Sequence, residues 1–193
     1  MKIRLGVVLA VLMMVPLVGC SRNRPAAAPA PAPTSTDDAA ARARADSIAA
    51  AELARRQAEE RERRAQMARA QEILQNAVYF GYDSQDLDAE TQERLRTKAA
   101  IMRANPSVAV RVEGHADERG STEYNLALGQ RRAESVRTFL TGYGITGNRL
   151  ATISYGKERP AVQGSNETAW ARNRRADFAV TAGEVSAVPP EVR

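Results

Sequence analysis

Asp117 and Arg132 are a carboxylate and a guanidinium whose types could do recognition chemistry together. Asp117 lies in the polar run Glu113-Gly114-His115-Ala116-Asp117-Glu118-Arg119-Gly120-Ser121, and Arg132 sits on the amphipathic stretch that follows. A carboxylate pairs with an ammonium, and a guanidinium grips a carboxylate through two parallel N–H bonds. Together they suit a ligand that carries an amine and a carboxylate. The same residues can instead salt-bridge each other, or cap and solvate their own elements, since 117–120 is turn-like sequence where charges are ordinary. His115, the only histidine, alternates with Glu113 and Asp117 and could share a strand face with them. A zinc site wants three or four ligands with thiolate or imidazole among them, so His115 reads as a hydrogen-bonded structural residue and no metal is expected. Hydrolysis would need an activated nucleophile or positioned carboxylates, and no Ser-His-Asp arrangement is visible. A non-enzyme without a cofactor is expected.

These residues need a scaffold, and hydropathy patterning predicts one. Residues 77–82 read as a strand, with Val78 and Phe80 alternating against Tyr79 and Gly81. Residues 88–103 read as a helix with Leu95, Ala99 and Met102 inward, ended by Asn105-Pro106 because the residue before proline avoids helical backbone. Val108, Val110 and Val112 mark a second strand over 107–113, and 114–121 is a polar loop. A helix over about 123–141 places Leu126, Ala133, Val136 and Leu140 inward, with Arg132 off that stripe, so that Arg132→Ala is expected to leave folding intact. Arg131, next to it, points elsewhere and reads as solvent-facing or structural. Strands over 150–155 and 176–180 follow, joined by a long loop and a short helix over 167–172. Gly142, Gly144 and Gly156 are candidates for positive φ. Sequential strands across crossover helices should run parallel, with the last able to enter antiparallel, giving an α/β domain with a mixed sheet. The tail from Thr181 should fray.

Cys20, the only cysteine, stands where an apolar N-terminal run stops. A lone thiol makes no intrachain disulfide, so an exported chain needs another reason to keep one. Lys2 and Arg4, the apolar run from Leu5 to Val18, and Leu17-Val18-Gly19-Cys20 resemble a bacterial lipoprotein signal, in which the cysteine becomes lipidated. The run is shorter than the roughly 20 apolar residues that span a bilayer. Acyl chains on Cys20 would anchor the chain to a membrane rather than thread it through. Ser21 after the cysteine fits an outer-membrane address under enteric-type sorting.

The expected organisation is a signal over 1–19, a lipidated, Pro/Ala-rich linker over 20–37 and an Ala/Arg/Glu-rich helical spacer over 38–72. A folded domain over 75–181 and a flexible tail over 182–193 complete it. The spacer carries Glu52/Arg56, Glu59/Arg63 and Glu60/Arg64 at helical spacing, and lacks the large a/d residues of a coiled coil. Loss of Lys2 and Arg4 with the signal takes the formal charge from +5 to +3, too modest an excess for a nucleic-acid binder.

Five segments in register, together with the lipoprotein signal, resemble the peptidoglycan-associated lipoprotein family and its OmpA-like domain. They are Val78-Tyr79-Phe80-Gly81-Tyr82-Asp83, Glu113 to Ser121, Glu123-Tyr124-Asn125 through Leu128-Gly129-Gln130-Arg131-Arg132-Ala133, Ser154 to Pro160, and Trp170-Ala171-Arg172-Asn173-Arg174-Arg175. Ala116 stands where the family usually has threonine, and Tyr82 where it often has phenylalanine. The resemblance implies a βαβαββ domain that binds the meso-diaminopimelate of the peptidoglycan peptide stem without covalent attachment. It implies Asp83, Asp117, Arg119, Leu128 and Arg132 as the binding residues: Asp117 for the ammonium, Arg132 for the carboxylate, Arg119 at the polar mouth and Leu128 as an apolar wall. It further implies an outer-membrane lipoprotein facing the periplasm, partnered by peptidoglycan, TolB and other Tol proteins in the Tol-Pal system that supports envelope integrity and division. A spacer lipoprotein, or an OmpA-family envelope protein without Tol partners, is the alternative. Asn173-Arg174-Arg175 reads as structural, holding the long loop or Glu167, and Trp170 as an edge residue whose N–H needs a partner.

Overall fold

The computed structural model describes residues 36–192. Cys20, the signal and most of the proline-rich linker lie outside the described residues. The chain divides into two units, 1–48 and 49–193. Of the first, residues 36–48 are helical and exposed.

Helix α1 (Thr36–Gln75) starts with Asp37 and Asp38 in its first turn, where carboxylates meet the unpaired N–H groups. Its exposed length carries the Arg55–Glu59 and Glu60–Arg64 pairs, so Glu59 bonds backward to Arg55 rather than forward to Arg63. The helix outruns the expected spacer, and its last turns are packed, not solvated. Ala70 and Leu74 are fully buried in the core of the second unit. The reason is Lys98, a residue that charge alone would place in water. It is 1% exposed, and its Nζ donates to the carbonyls of Ile73, Leu74 and Asn76 at 2.6, 2.8 and 2.6 Å, above the Phe178 ring at 4.1 Å. One ammonium thus satisfies carbonyls that a helix C-terminus leaves unpaired. Burial, with Arg94 nearby, pulls its pKa down to about 7. Lys98→Met should lower stability by about 1–3 kcal/mol through the stranded carbonyls, read by urea unfolding, and amides of the last α1 turn should exchange faster.

The remaining elements are β1 (Val78–Tyr79), α2 (Ala89–Ala104), β2 (Ala109–His115), α3 (Thr122–Gly142), β3 (Leu150–Gly156), α4 (Glu167–Asn173) and β4 (Arg175–Ala182). The sheet order is β1-β4-β2-β3, with β2 and β3 parallel and β4 antiparallel to both neighbours. This is the expected βαβαββ mixed sheet, with the last strand inserted between the first two. Val108, Val110 and Val112 pack with Leu95, Ile101, Met102, Val136 and Leu140 in one core. Asp88, Ser121 and Asn166 cap α2, α3 and α4 by accepting backbone N–H bonds.

Three local expectations are corrected. Leu126 is 47% exposed, because the buried face of α3 runs through Asn125, Leu128, Gly129, Arg132 and Ala133. Gly142 lies inside α3 and does not take positive φ, unlike Gly144 and Gly156. The C-terminal segment does not fray. Asn105 Oδ1 accepts from Ser186 and Ala187 N–H, its Nδ2 donates to the Ala187 carbonyl, and Val192 is buried.

Candidate functional site

α3 lies against β2 at backbone range. A Cβ on Gly114 would stand 1.8 Å from the Gly129 carbonyl oxygen, and one on Gly129 would stand 2.3 Å from Ser154 Oγ. Two glycines therefore set the contact that brings the loop after β2 beside the N-terminal half of α3. Ala116 N–H donates to the Gly156 carbonyl, and Asn125 Nδ2 donates to the Arg119 carbonyl at 2.7 Å, which ties the loop to β3 and α3. The turn after β1 supplies the third wall. Asp83 there holds left-handed backbone, φ 51°, an uncommon state for a residue with a Cβ, and its carboxylate accepts from Tyr124 Oη at 2.5 Å.

These walls enclose a cleft of about 100 Å³ lined by Tyr82, Asp83, Asp117, Arg119, Gly120, Tyr124, Asn125, Leu128 and Arg132. All five residues singled out in the sequence therefore face one space. Asp117 and Arg132 do not bridge each other. Asp117 is 5% exposed; its Oδ1 accepts the Arg119 backbone N–H at 3.1 Å and Nε at 3.2 Å. Oδ2 accepts Arg119 Nη2 at 2.6 Å and Arg174 Nη1 at 3.5 Å.

Arg132 is 0% exposed, and the expectation that it lies off the packed face is wrong. Its Nε donates to the Ser84 carbonyl at 2.8 Å, Nη1 to His115 at 2.8 Å and Nη2 to Gly81 at 3.0 Å. The side chain thus staples the β1 turn and the end of β2 onto α3. A guanidinium has five N–H donors, so these three bonds leave one on each terminal nitrogen. Burial brings its pKa down to about 10, so it stays charged at neutral pH.

Three further side chains serve the site: Arg174, expected only to hold the long loop or Glu167, and Tyr82 and Trp170. Arg174, 9% exposed in its side chain, bonds Asp117 and also Glu167 at 2.8 Å and the Phe80 carbonyl at 3.1 Å. The Arg119 guanidinium lies over both the Tyr82 and the Trp170 ring, each centroid 4.1 Å away. Trp170 Nε1 donates to Glu118 at 3.0 Å, so this ring serves the cleft mouth rather than the sheet edge. Cation–aromatic placement has no sequence period, which is why spacing could not reveal it. His115 is buried with Nε2 3.2 Å from Asp177 Oδ2, though neither ring nitrogen is aligned for a hydrogen bond. Among the described residues, no group of three or more His, Cys, Asp or Glu could hold a metal ion.

Burial would raise the Asp117 and Asp177 pKa values, but hydrogen bonds from Arg119 to one, and the close His115 ring with hydrogen bonds from Arg175 to the other, win and hold both below 3.8. Each stays charged in the folded chain at pH values where the unfolded chain binds a proton. The stability they contribute is full above the unfolded value and is lost as pH falls through the folded one. The thermal midpoint should drop as pH is lowered below 3.8, and less steeply in Asp177→Asn.

The OmpA family model matches residues 79–174. The chain is 50% identical over 104 residues to the peptidoglycan-associated lipoprotein of Haemophilus influenzae, covering 54% of this chain and 68% of the relative. Its counterpart from Pasteurella multocida is 47% identical over 104 residues, covering 54% and 69%. The crystal structure of the peptidoglycan-associated lipoprotein from Burkholderia pseudomallei superposes with a TM-score of 0.53 at 41% identity, over 54% of this chain and 89% of that one. The C-terminal domain of Helicobacter pylori MotB shares the fold at 22% identity and a TM-score of 0.53.

Proposed function

The chain belongs to the peptidoglycan-associated lipoprotein family, and we propose that it links the outer membrane to the cell wall by holding peptidoglycan in the cleft around Asp117. Cys20 carries the lipid, the domain faces the periplasm, and TolB and other Tol proteins are its protein partners. The bound group is the meso-diaminopimelate of the peptide stem. Asp117 takes its ammonium, and the two N–H groups that Arg132 has left on its terminal nitrogens take its carboxylate as a fork. Asp83 adds a second anion, Leu128 an apolar wall, and Arg119 lines the mouth. The observation that carries this reading is the meeting of a buried anion and a buried cation on one cleft of about 100 Å³. The group recognised presents opposite charges, and the cleft offers their complements.

The test is co-sedimentation of the lipid-free chain from Ser21 onward with diaminopimelate-type peptidoglycan. Retention that a free diaminopimelate peptide competes away is expected; absence of retention at low salt contradicts the reading. For the anchor, Cys20→Ser should move the chain to the soluble fraction of broken cells, and a fully membrane-bound variant would contradict lipid attachment.

A further inference from the structure

We propose that Arg119 is a displaceable internal ligand: its guanidinium occupies the cation position on Asp117, and a bound ammonium exchanges with it. The inference rests on the cleft being the binding site and adds how that site is opened.

A carboxylate offers about four acceptor positions. In Asp117 all four are taken, by the Arg119 backbone N–H, Arg119 Nε, Arg119 Nη2 and Arg174 Nη1. An incoming ammonium therefore reaches Asp117 only by removing a donor. The backbone N–H belongs to a loop fixed by the Asn125 bond to the Arg119 carbonyl. Arg174 is buried and also holds Phe80 and Glu167. The Arg119 side chain alone is both partly exposed, at 30%, and free of backbone carbonyls. A second acceptor stands ready for it, since Arg119 Nη1 is already 3.9 Å from Glu167 Oε2, a carboxylate 65% exposed. Once Arg119 leaves, the Tyr82 and Trp170 rings that it contacted remain near Asp117, and an aromatic face favours a cation. The closed arrangement keeps Asp117 paired in the free chain and makes entry dependent on a ligand able to replace a guanidinium.

Trp170 is the only tryptophan and lies against the group said to move, so its emission reports the exchange directly. The lipid-free chain is titrated with a soluble diaminopimelate-containing muropeptide, followed by calorimetry and by Trp170 fluorescence. Saturation should shift the emission of the unaltered chain to that of ligand-free Arg119→Ala. In that variant ligand should change the emission little, and affinity should rise about three- to tenfold because no internal competitor remains. Calorimetric binding of the unaltered chain with unmoved Trp170 emission, or weaker binding by Arg119→Ala, would overturn the exchange while leaving the site in place. Absence of calorimetric binding by the unaltered chain would overturn the site and the exchange together.

Discussion

Arg132→Ala is expected to lose the ligand and much of the fold's stability together. Truncation empties a fully buried position and strands the carbonyls of Gly81, Ser84 and His115, each of which accepts an Arg132 N–H at 2.8–3.0 Å. A buried group left without its partner costs about 1–3 kcal/mol, and relaxation and water entry recover part of the sum, so a loss of about 3–5 kcal/mol is expected. Urea unfolding by circular dichroism measures it. Arg132→Lys keeps the charge but not the fork, and should recover part of the stability while binding the diaminopimelate peptide poorly. Stability in Arg132→Ala equal to the parent would mean that the turn after β1 does not depend on this side chain.

Asp117→Asn should show the opposite balance, a large loss of binding with a small loss of stability. The amide keeps the size of the carboxylate and removes the charge that an ammonium needs. Truncating one partner of a desolvated charge pair costs about 2–5 kcal/mol of binding, so affinity for the peptide should fall at least about tenfold. Arg174 keeps its bonds to Phe80 and Glu167, and Arg119 keeps its contacts with two rings, so the fold retains its supports. Titration calorimetry with a parallel thermal melt separates the two effects. The contrast between the variants distinguishes a side chain that builds the cleft from one that works mainly within it.

Periodicity made the strands and helices legible because apolar burial follows it. Val108, Val110 and Val112 alternate, Leu95, Ala99 and Met102 recur on one face, and all six are buried. The same rule failed wherever a charged side chain serves as an internal hydrogen-bond donor. Lys98 and Arg132 are buried by backbone carbonyls supplied from 17 to 51 residues away, and nothing in their own helices marks that. The error over Leu126 follows from the one over Arg132, since moving the buried face onto Arg132 turns Leu126 outward. The insertion of β4 between β1 and β2 rests on pairing across the whole domain, which local pattern does not encode. The resemblance supplied the five candidate residues. Their charges said what each could do, and only the fold shows them on one cleft, with Asp117 already paired to Arg119 and Arg174.

The proposed cleft reads an amine and a carboxylate at once. Two muropeptides that differ only at the third stem residue, meso-diaminopimelate in one and lysine in the other, test that requirement. Lysine keeps the ammonium for Asp117 and lacks the carboxylate for Arg132. Calorimetric titration of the lipid-free chain should show saturable binding of the diaminopimelate peptide and affinity at least about tenfold weaker for the lysine peptide, the cost of leaving a buried charge unpaired. Equal affinity for the two would contradict recognition of the stem through Asp117 and Arg132.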